Sequence, residues 1–152
     1  MMRLPRTFRR LIHYPPRLAY ALGLGPLIGR LVLLLTTTGR KSGKARVTPL
    51  QYEQIDGVYY VAAAFGPKTD WVRNLQAEPR AQVRVLRRQF SASAELMDDP
   101  ERIAQYLEYR LQRRPRLMRA LLRRGGLPPN PTRQQFLRFA QNLVLVALYP
   151  PS

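Results

Sequence analysis

Between Thr36 and Leu50 the chain reads TTTGRKSGKARVTPL. Arg40, Lys41, Ser42, Lys44 and Arg46 fall within seven residues, and Gly39 and Gly43 frame the tightest part. Arginine offers a planar fork that matches phosphate or carboxylate, lysine a mobile point charge, and serine a hydroxyl. Glycines that reach positive φ let successive backbone N–H groups converge on one anion. The chemistry on offer is the binding of a multiply charged anion. It is not a nucleotide-binding P-loop, because the glycines stand only four apart and Ala45 occupies the place of the magnesium-binding hydroxyl. Taken alone, the segment reads equally as a solvated, charge-rich turn.

A second cluster, FGPKTDWVRNL, spans residues 65–75. Lys68 precedes a helix start, where backbone donors are free. Trp71 could flank a planar ring or anchor a core through Leu75, four residues on. Asn74 could hydrogen-bond a ring edge or a phosphate. A third feature is basic helical material: Arg9-Arg10, and Arg113-Arg114-Pro115-Arg116 through Arg123-Arg124 with Leu117, Leu121 and Leu122. Such a helix suits either an anionic membrane or plain solvent.

Composition narrows the chemistry further. Twenty-six Lys and Arg face nine Asp and Glu, a net charge of +17. That field attracts nucleic acid, anionic lipid or a phosphorylated or polycarboxylate ligand. The chain has no cysteine, which removes disulfides and cysteine-ligated metals and suits a reducing, cytoplasmic setting. The single histidine, His13, leaves no material for a histidine metal site or a Ser-His-Asp triad. No metal is expected. No signal peptide is recognised at the N-terminus. Residues 18–35 are mostly apolar but contain Gly23, Gly25, Pro26, Gly29 and Arg30, so they predict a short helix, a break and a buried strand, not a membrane span.

The elements that must position these residues follow from local signals. Residues 3–13 and 17–24 predict two N-terminal helices, and residues 31–37 a strand. Strands over 47–55 and 58–64 flank Asp56-Gly57, a pair preferred in type I′ turns. A short helix is predicted from Thr69 or Asp70 to Pro79, then strands over 81–87 and 89–96. Asp99-Pro100-Glu101 opens a helix to about residue 112. A basic helix over 116–124 ends at Gly125-Gly126. Thr132 and Gln135 form a capping box for a helix to about Asn142, and residues 144–149 form the last strand. About six hairpin-linked strands predict a single α+β domain over 1–152, an antiparallel barrel whose closure removes the sheet edges. Residues 100–142 form a helical insertion before the last strand. Regular β/α alternation is missing, which disfavours a Rossmann sheet.

In combination, G-R-K-S-G-x-x-R, T-P-L and W-x-x-N-L-x-A-x-P, over residues 33–85, resemble the deazaflavin-dependent nitroreductase family of F420H2-dependent oxidoreductases. The resemblance implies a split β-barrel and a coenzyme with a ring, a ribityl phosphate and an oligoglutamate tail. It implies that Arg40, Lys41 and Ser42 meet the phosphate and tail, with Arg46 beside them; Lys68, from its place before the helix start, is a further candidate for the coenzyme. Val47, Thr48, Pro49, Leu50 and Gln51 would run beside the ring. Ala62, Ala63 and Ala64 would form its floor, and Trp71 and Asn74 would close the remaining side. The implied chemistry is hydride transfer to a small-molecule acceptor such as a quinone, an enone or a nitro compound. Members often carry a tyrosine after T-P-L and a serine in the second strand; this chain has Gln51 and Ala64 there, so no catalytic proton donor is assigned. Tyr106 and Tyr109 are candidates to cap the pocket. An alternative within the fold is a flavin- (FMN), haem- or lipid-binding relative with little catalysis. A basic nucleic-acid-binding protein ranks third, since the basic helices carry leucine in place of the interleaved aromatics that stacking needs. Peripheral association with an anionic membrane and a homodimer are further expectations.

Overall fold

The computed structural model describes residues 32–63 and 66–152. The expected N-terminal helices, and Ala64, lie outside the described residues. Six strands close into an antiparallel barrel in the order β1-β2-β3-β6-β5-β4. They are β1 (Val32–Thr38), β2 (Ala45–Ile55), β3 (Val58–Ala63), β4 (Arg80–Val85), β5 (Arg88–Met97) and β6 (Val144–Tyr149). Helix α1 (Asp70–Ala77) links β3 to β4, and α2 (Pro100–Arg113), α3 (Pro115–Arg124) and α4 (Arg133–Ala140) lie between β5 and β6. The expected α+β split-barrel class is the observed one.

Local chemistry explains the boundaries. Asp56 and Gly57 both adopt positive φ, 51° and 80°, as a type I′ turn requires. The second hairpin turns one residue earlier than its sequence suggests. Leu86 sits in the left-handed region, φ 54°, so the ladder stops at Val85, which points into the core. Asp99 caps α2 by accepting from the Glu101 N–H at 3.1 Å, with Pro100 in the first turn. Thr132 and Gln135 form the full capping box of α4.

Two cores result. Inside the barrel, Leu33, Leu35, Val61, Val83, Val146 and Leu148 are completely buried. Outside it, α2, α3 and α4 cover β3 and β6 through Ile103, Leu107, Met118, Leu122, Phe136 and Leu145. Strand β6 is therefore buried on both faces, which accounts for its unbroken apolar run Val144–Leu148. Each such buried aliphatic side chain contributes about 1.5–3 kcal/mol.

One carboxylate ties the helices to the barrel. Glu53 on β2 is 2% exposed and faces α2. Its Oε1 accepts from Arg110 Nε at 3.3 Å and Arg114 Nε at 2.9 Å. Arg113 Nε lies 3.6 Å from Oε2. Tyr106, a candidate pocket cap in the sequence, is instead packed in this helical layer, its hydroxyl donating to the Tyr60 carbonyl at 3.1 Å. It lies on the buried face of α2, with Ile103, Leu107 and Arg110. Burial, partly offset by the Arg110 charge, raises its pKa far above the usual tyrosine value, so it stays a hydrogen-bond donor at neutral pH.

Removing one partner of a buried ion pair strands the others in low dielectric. Glu53→Ala is therefore expected to lower unfolding free energy by roughly 3 kcal/mol in urea titrations. Arg113→Ala, at the exposed rim of the same cluster, should cost under about 1 kcal/mol. Equal costs for the two variants would contradict this assignment of the clamp.

Candidate functional site

The cationic bend joins β1 to β2, and α1 begins just after β3, so the two sequence clusters come together. Arg40 makes the junction. Its backbone N–H and its Nη1 both donate to Asn74 Oδ1, at 3.2 and 3.0 Å. Its Nη2 pairs with Asp70 Oδ1 at 3.1 Å, and Nη1 also reaches the Asp70 carbonyl at 3.5 Å. Asn74 is 3% exposed, and its Nδ2 donates to Thr37 Oγ1 at 3.2 Å. Thr37 in turn donates to the Arg46 carbonyl at 3.5 Å. One buried amide thus links the bend, α1 and β1.

The bend closes on itself through its backbone. Gly39 N–H donates to the Lys44 carbonyl and Gly43 N–H to the Gly39 carbonyl, each at 2.7 Å. Lys44 N–H donates to Ser42 Oγ at 3.2 Å. With the Arg40 N–H held by Asn74, the donors at Gly39, Arg40, Gly43 and Lys44 are all engaged inside the fold. Of the backbone N–H groups expected to converge on an anion, those of Lys41 and Ser42 have no partner among the described residues, and they lie beside the exposed side chains that carry the charge. Gly39 is required here, because a Cβ would lie 2.7 Å from Ser42 Oγ and 3.1 Å from the Lys44 carbonyl oxygen. Gly43 supplies the left-handed residue, φ 69°.

Lys41, Ser42 and Lys44 are exposed on the bend, Arg46 is half-buried behind it, and Lys68 is exposed in the short 3-10 turn before α1. Among the described residues none of these four cations forms an ion pair, whereas Arg40 does. The residues outside the description contain no Asp or Glu, so all nine acids are accounted for. Lys41, Lys44, Arg46 and Lys68 are the charges left for an external anion.

The remaining expected residues divide between faces. By register with β1, Arg46, Thr48 and Leu50 share the face of Thr37, Leu35 and Leu33, while Val47, Pro49 and Gln51 lie on the outer face. Ala63 belongs to the barrel core and Ala62 to the helical layer. The two alanines do not form one floor, because consecutive strand residues point to opposite sides. Trp71 is 6% exposed and packs in the barrel core. Tyr52 and Tyr59 pack in that core with tilted rings and centroids 5.6 Å apart, and Arg88 donates to the Tyr59 hydroxyl.

Among the described residues, a groove of about 510 Å³ opens beside the bend, lined by Gly43, Ala45, Thr36, Thr38, Arg80 and Ser91 among others. A second, of about 200 Å³, shares Thr36 and Gln82 with it and continues past Leu34, Val47 and Arg84. These lie on the outer face of β1 and β4, not on the alanine strand. Sequence reasoning passed over Thr36, Thr38, Arg80, Gln82 and Ser91. The signal was there in the alternation of TTT and RAQVR, whose outward members include Thr36, Thr38, Arg80 and Gln82, with Ser91 opposite Gln82 on β5.

A family model described as F420H(2)-dependent quinone reductase matches residues 20–118, well over half of the chain. Among solved structures, the chain is similar to a conserved hypothetical protein from Mycobacterium tuberculosis. That match has a TM-score of 0.60 and 17% identity, covering 87% of this chain and 80% of the other. An F420-H2 dependent reductase (FDR-A) matches at TM-score 0.52 and 22% identity, over 78% of this chain and 94% of its own. The haem storage protein HutZ from Vibrio cholerae matches at TM-score 0.55 and 18% identity, over 81% and 83%. These likenesses share the barrel fold.

Asn74→Ala removes three hydrogen bonds; it strands the Arg40 backbone N–H and leaves Thr37 Oγ1 only its bond to the Arg46 carbonyl. Each stranded group costs about 1–3 kcal/mol, so the variant should unfold at clearly lower urea concentration. Asp70→Ala removes only a surface contact and should stay within about 1 kcal/mol of the parent. Asn74→Ala unfolding like the parent would show that the tie is not formed in solution.

Proposed function

The chain belongs to the F420H(2)-dependent quinone reductase family, and from that premise we propose how its own residues hold the coenzyme and meet the acceptor. It is an F420H2-dependent oxidoreductase. The observation that carries the site assignment is the set of four cations without acidic partners, gathered on a bend and turn fixed by the Arg40–Asn74 tie.

The donor set fits a polyanionic coenzyme. Lys41, Ser42 and Lys44 would bind phosphate and tail carboxylates, with Arg46 and Lys68 at either side. Arg40 and Asn74 hold the bend in place and do not themselves reach for the anion. The groove running from Gly43 along β1 and β4 gives room beside Lys44 for an extended anionic chain, with Arg80 and the hydroxyls of Thr36, Thr38 and Ser91 as partners. The Val47–Gln51 stretch presents Val47, Pro49 and Gln51 outward, an apolar and amide-bearing strip for a flat ring, and Ala63 and Trp71 stiffen the wall behind it. When bound, the reduced deazaflavin supplies a hydride. The protein's share is to orient and to keep the anionic end neutralised, so that ring and acceptor meet without a search. Tyr52, Tyr59, Tyr60 and Tyr106 are committed to the two cores, and the proton taken up by the acceptor is proposed to come from solvent at the groove mouth.

Haem fits less well, because its commonest axial ligand is histidine and the chain has one, His13. A quinone is the preferred acceptor class because the matching family is described as a quinone reductase and hydride transfer to a quinone creates an aromatic ring; enones and nitro compounds are the alternatives. The setting that suits this reading is cytoplasmic, with the enzyme at the membrane surface.

Lys41→Ala with Lys44→Ala is expected to weaken binding of the reduced coenzyme by about 150-fold or more, at about 1.5–3 kcal/mol per charged hydrogen bond. Its unfolding midpoint should be unchanged. Fluorescence titration of the coenzyme reads the first and urea melting the second; parent-like affinity would remove these lysines from the site. With the parent enzyme, oxidation of reduced coenzyme should be faster with a soluble naphthoquinone than with an enone or nitroaromatic of similar size. The reverse order would reassign the acceptor.

A further inference from the structure

Helix α3 carries four arginines and no acid in ten residues. Met118 and Leu122 are buried against the helical layer. At 100° per residue, Ala120 marks the centre of the opposite, outward arc, and Arg116, Arg123, Arg124 and Leu117 lie within about 60° of it. Arg116, Arg119, Ala120, Arg123 and Arg124 are exposed, and Leu117 is half-buried. Among the described residues none of these four arginines has an ion-pair partner. The residues outside the description cannot neutralise them, since they contain no Asp or Glu.

We propose that the outward arc of α3 is a docking face for an anionic phospholipid bilayer, with Ala120 at the point of closest approach and Arg116, Arg123 and Arg124 on the headgroups. Charge complementarity selects an anionic partner, and shape selects a planar one. The helix lies flat on the protein, held by Met118 and Leu122, so it does not project into a nucleic-acid groove about 8.5 Å deep. It carries no aromatic ring on which an unpaired base could stack. Its small crest residue lets flanking guanidinium groups reach a flat surface together, while Leu117 adds apolar contact at the edge.

The orientation of α3 on the barrel is fixed. Arg114, at its start, and Arg110 hold Glu53 on β2, the strand that also begins at the cationic bend. No helix among the described residues is long and apolar enough to cross a membrane, so the contact is peripheral. The inference deepens the reading of a membrane-surface quinone reductase and takes its purpose from that reading. Binding is measured without turnover, however, so its failure leaves the reductase assignment standing.

The chain has no cysteine, so Ala120→Cys gives one labelling position for a polarity-sensitive fluorophore, with Gln76→Cys on α1 as the comparison. The full chain is mixed with vesicles of phosphatidylcholine alone or with three-tenths phosphatidylglycerol. The label at 120 should shift to the blue only with the anionic vesicles, and the label at 76 should not shift. Adding Arg116→Gln and Arg123→Gln should weaken vesicle binding by roughly 25-fold, each basic residue near an anionic leaflet contributing about a fivefold factor. No shift at 120, equal shifts at both positions, or equal shifts with neutral vesicles would overturn the proposal. So would displacement from anionic vesicles by short duplex DNA at equal phosphate concentration, which would make nucleic acid the preferred partner.

Discussion

The structure depends on one amide. Asn74 is buried, and a buried amide that lost its partners would weigh against the fold. Here it accepts twice from Arg40 and donates once to Thr37. Satisfying it requires α1, the bend and β1 to hold one relative position. The bend needs that external support, because a short glycine-framed turn has many accessible conformations of its own. Once it is held, Lys41 and Lys44 project from a defined base, and less ordering remains for the moment of binding.

The same tie divides the cations of the bend into two kinds. Arg40 is neutralised by Asp70 and engaged with Asn74; it sets geometry. Lys41, Lys44 and Lys68 are exposed and without acidic partners, so their field extends outward. In a chain at +17, general attraction for anions is everywhere. Charge that is both unpaired and fixed is rarer, and the bend beside the groove along β1 and β4 carries it. A second zone of this kind lies on α3, anchored through Glu53 to the same strand β2. The cationic bend and α3 are thus joined through β2.

Short-range chemistry in the sequence announces much of this architecture. Asp56-Gly57, Asp99-Pro100 and the Thr132/Gln135 box act within a few residues of themselves, and each forms as its local physics requires. The cationic bend is likewise legible from residue types and two glycines. What the sequence hides are the long-range choices. Arg40 and Asn74 are 34 residues apart, and nothing local distinguishes an arginine that binds a ligand from one that binds an asparagine. Three consecutive alanines suggest a floor, yet strand alternation sends Ala62 and Ala63 to different cores. Glu53 looks like one acid in a hairpin; its burial beneath Arg110 and Arg114 emerges only when the helices pack. Tyr106 is drawn inside by the apolar face of α2.

The central claim is that side chains fixed on the bend grip the anionic end of the coenzyme. The most direct measurement compares the affinity of the complete reduced coenzyme with that of its ring-and-ribityl fragment, which lacks phosphate and tail, across a range of salt. The account predicts that the complete coenzyme binds at least about tenfold tighter at low ionic strength and loses that advantage as salt rises. Equal affinities at every salt concentration would contradict it.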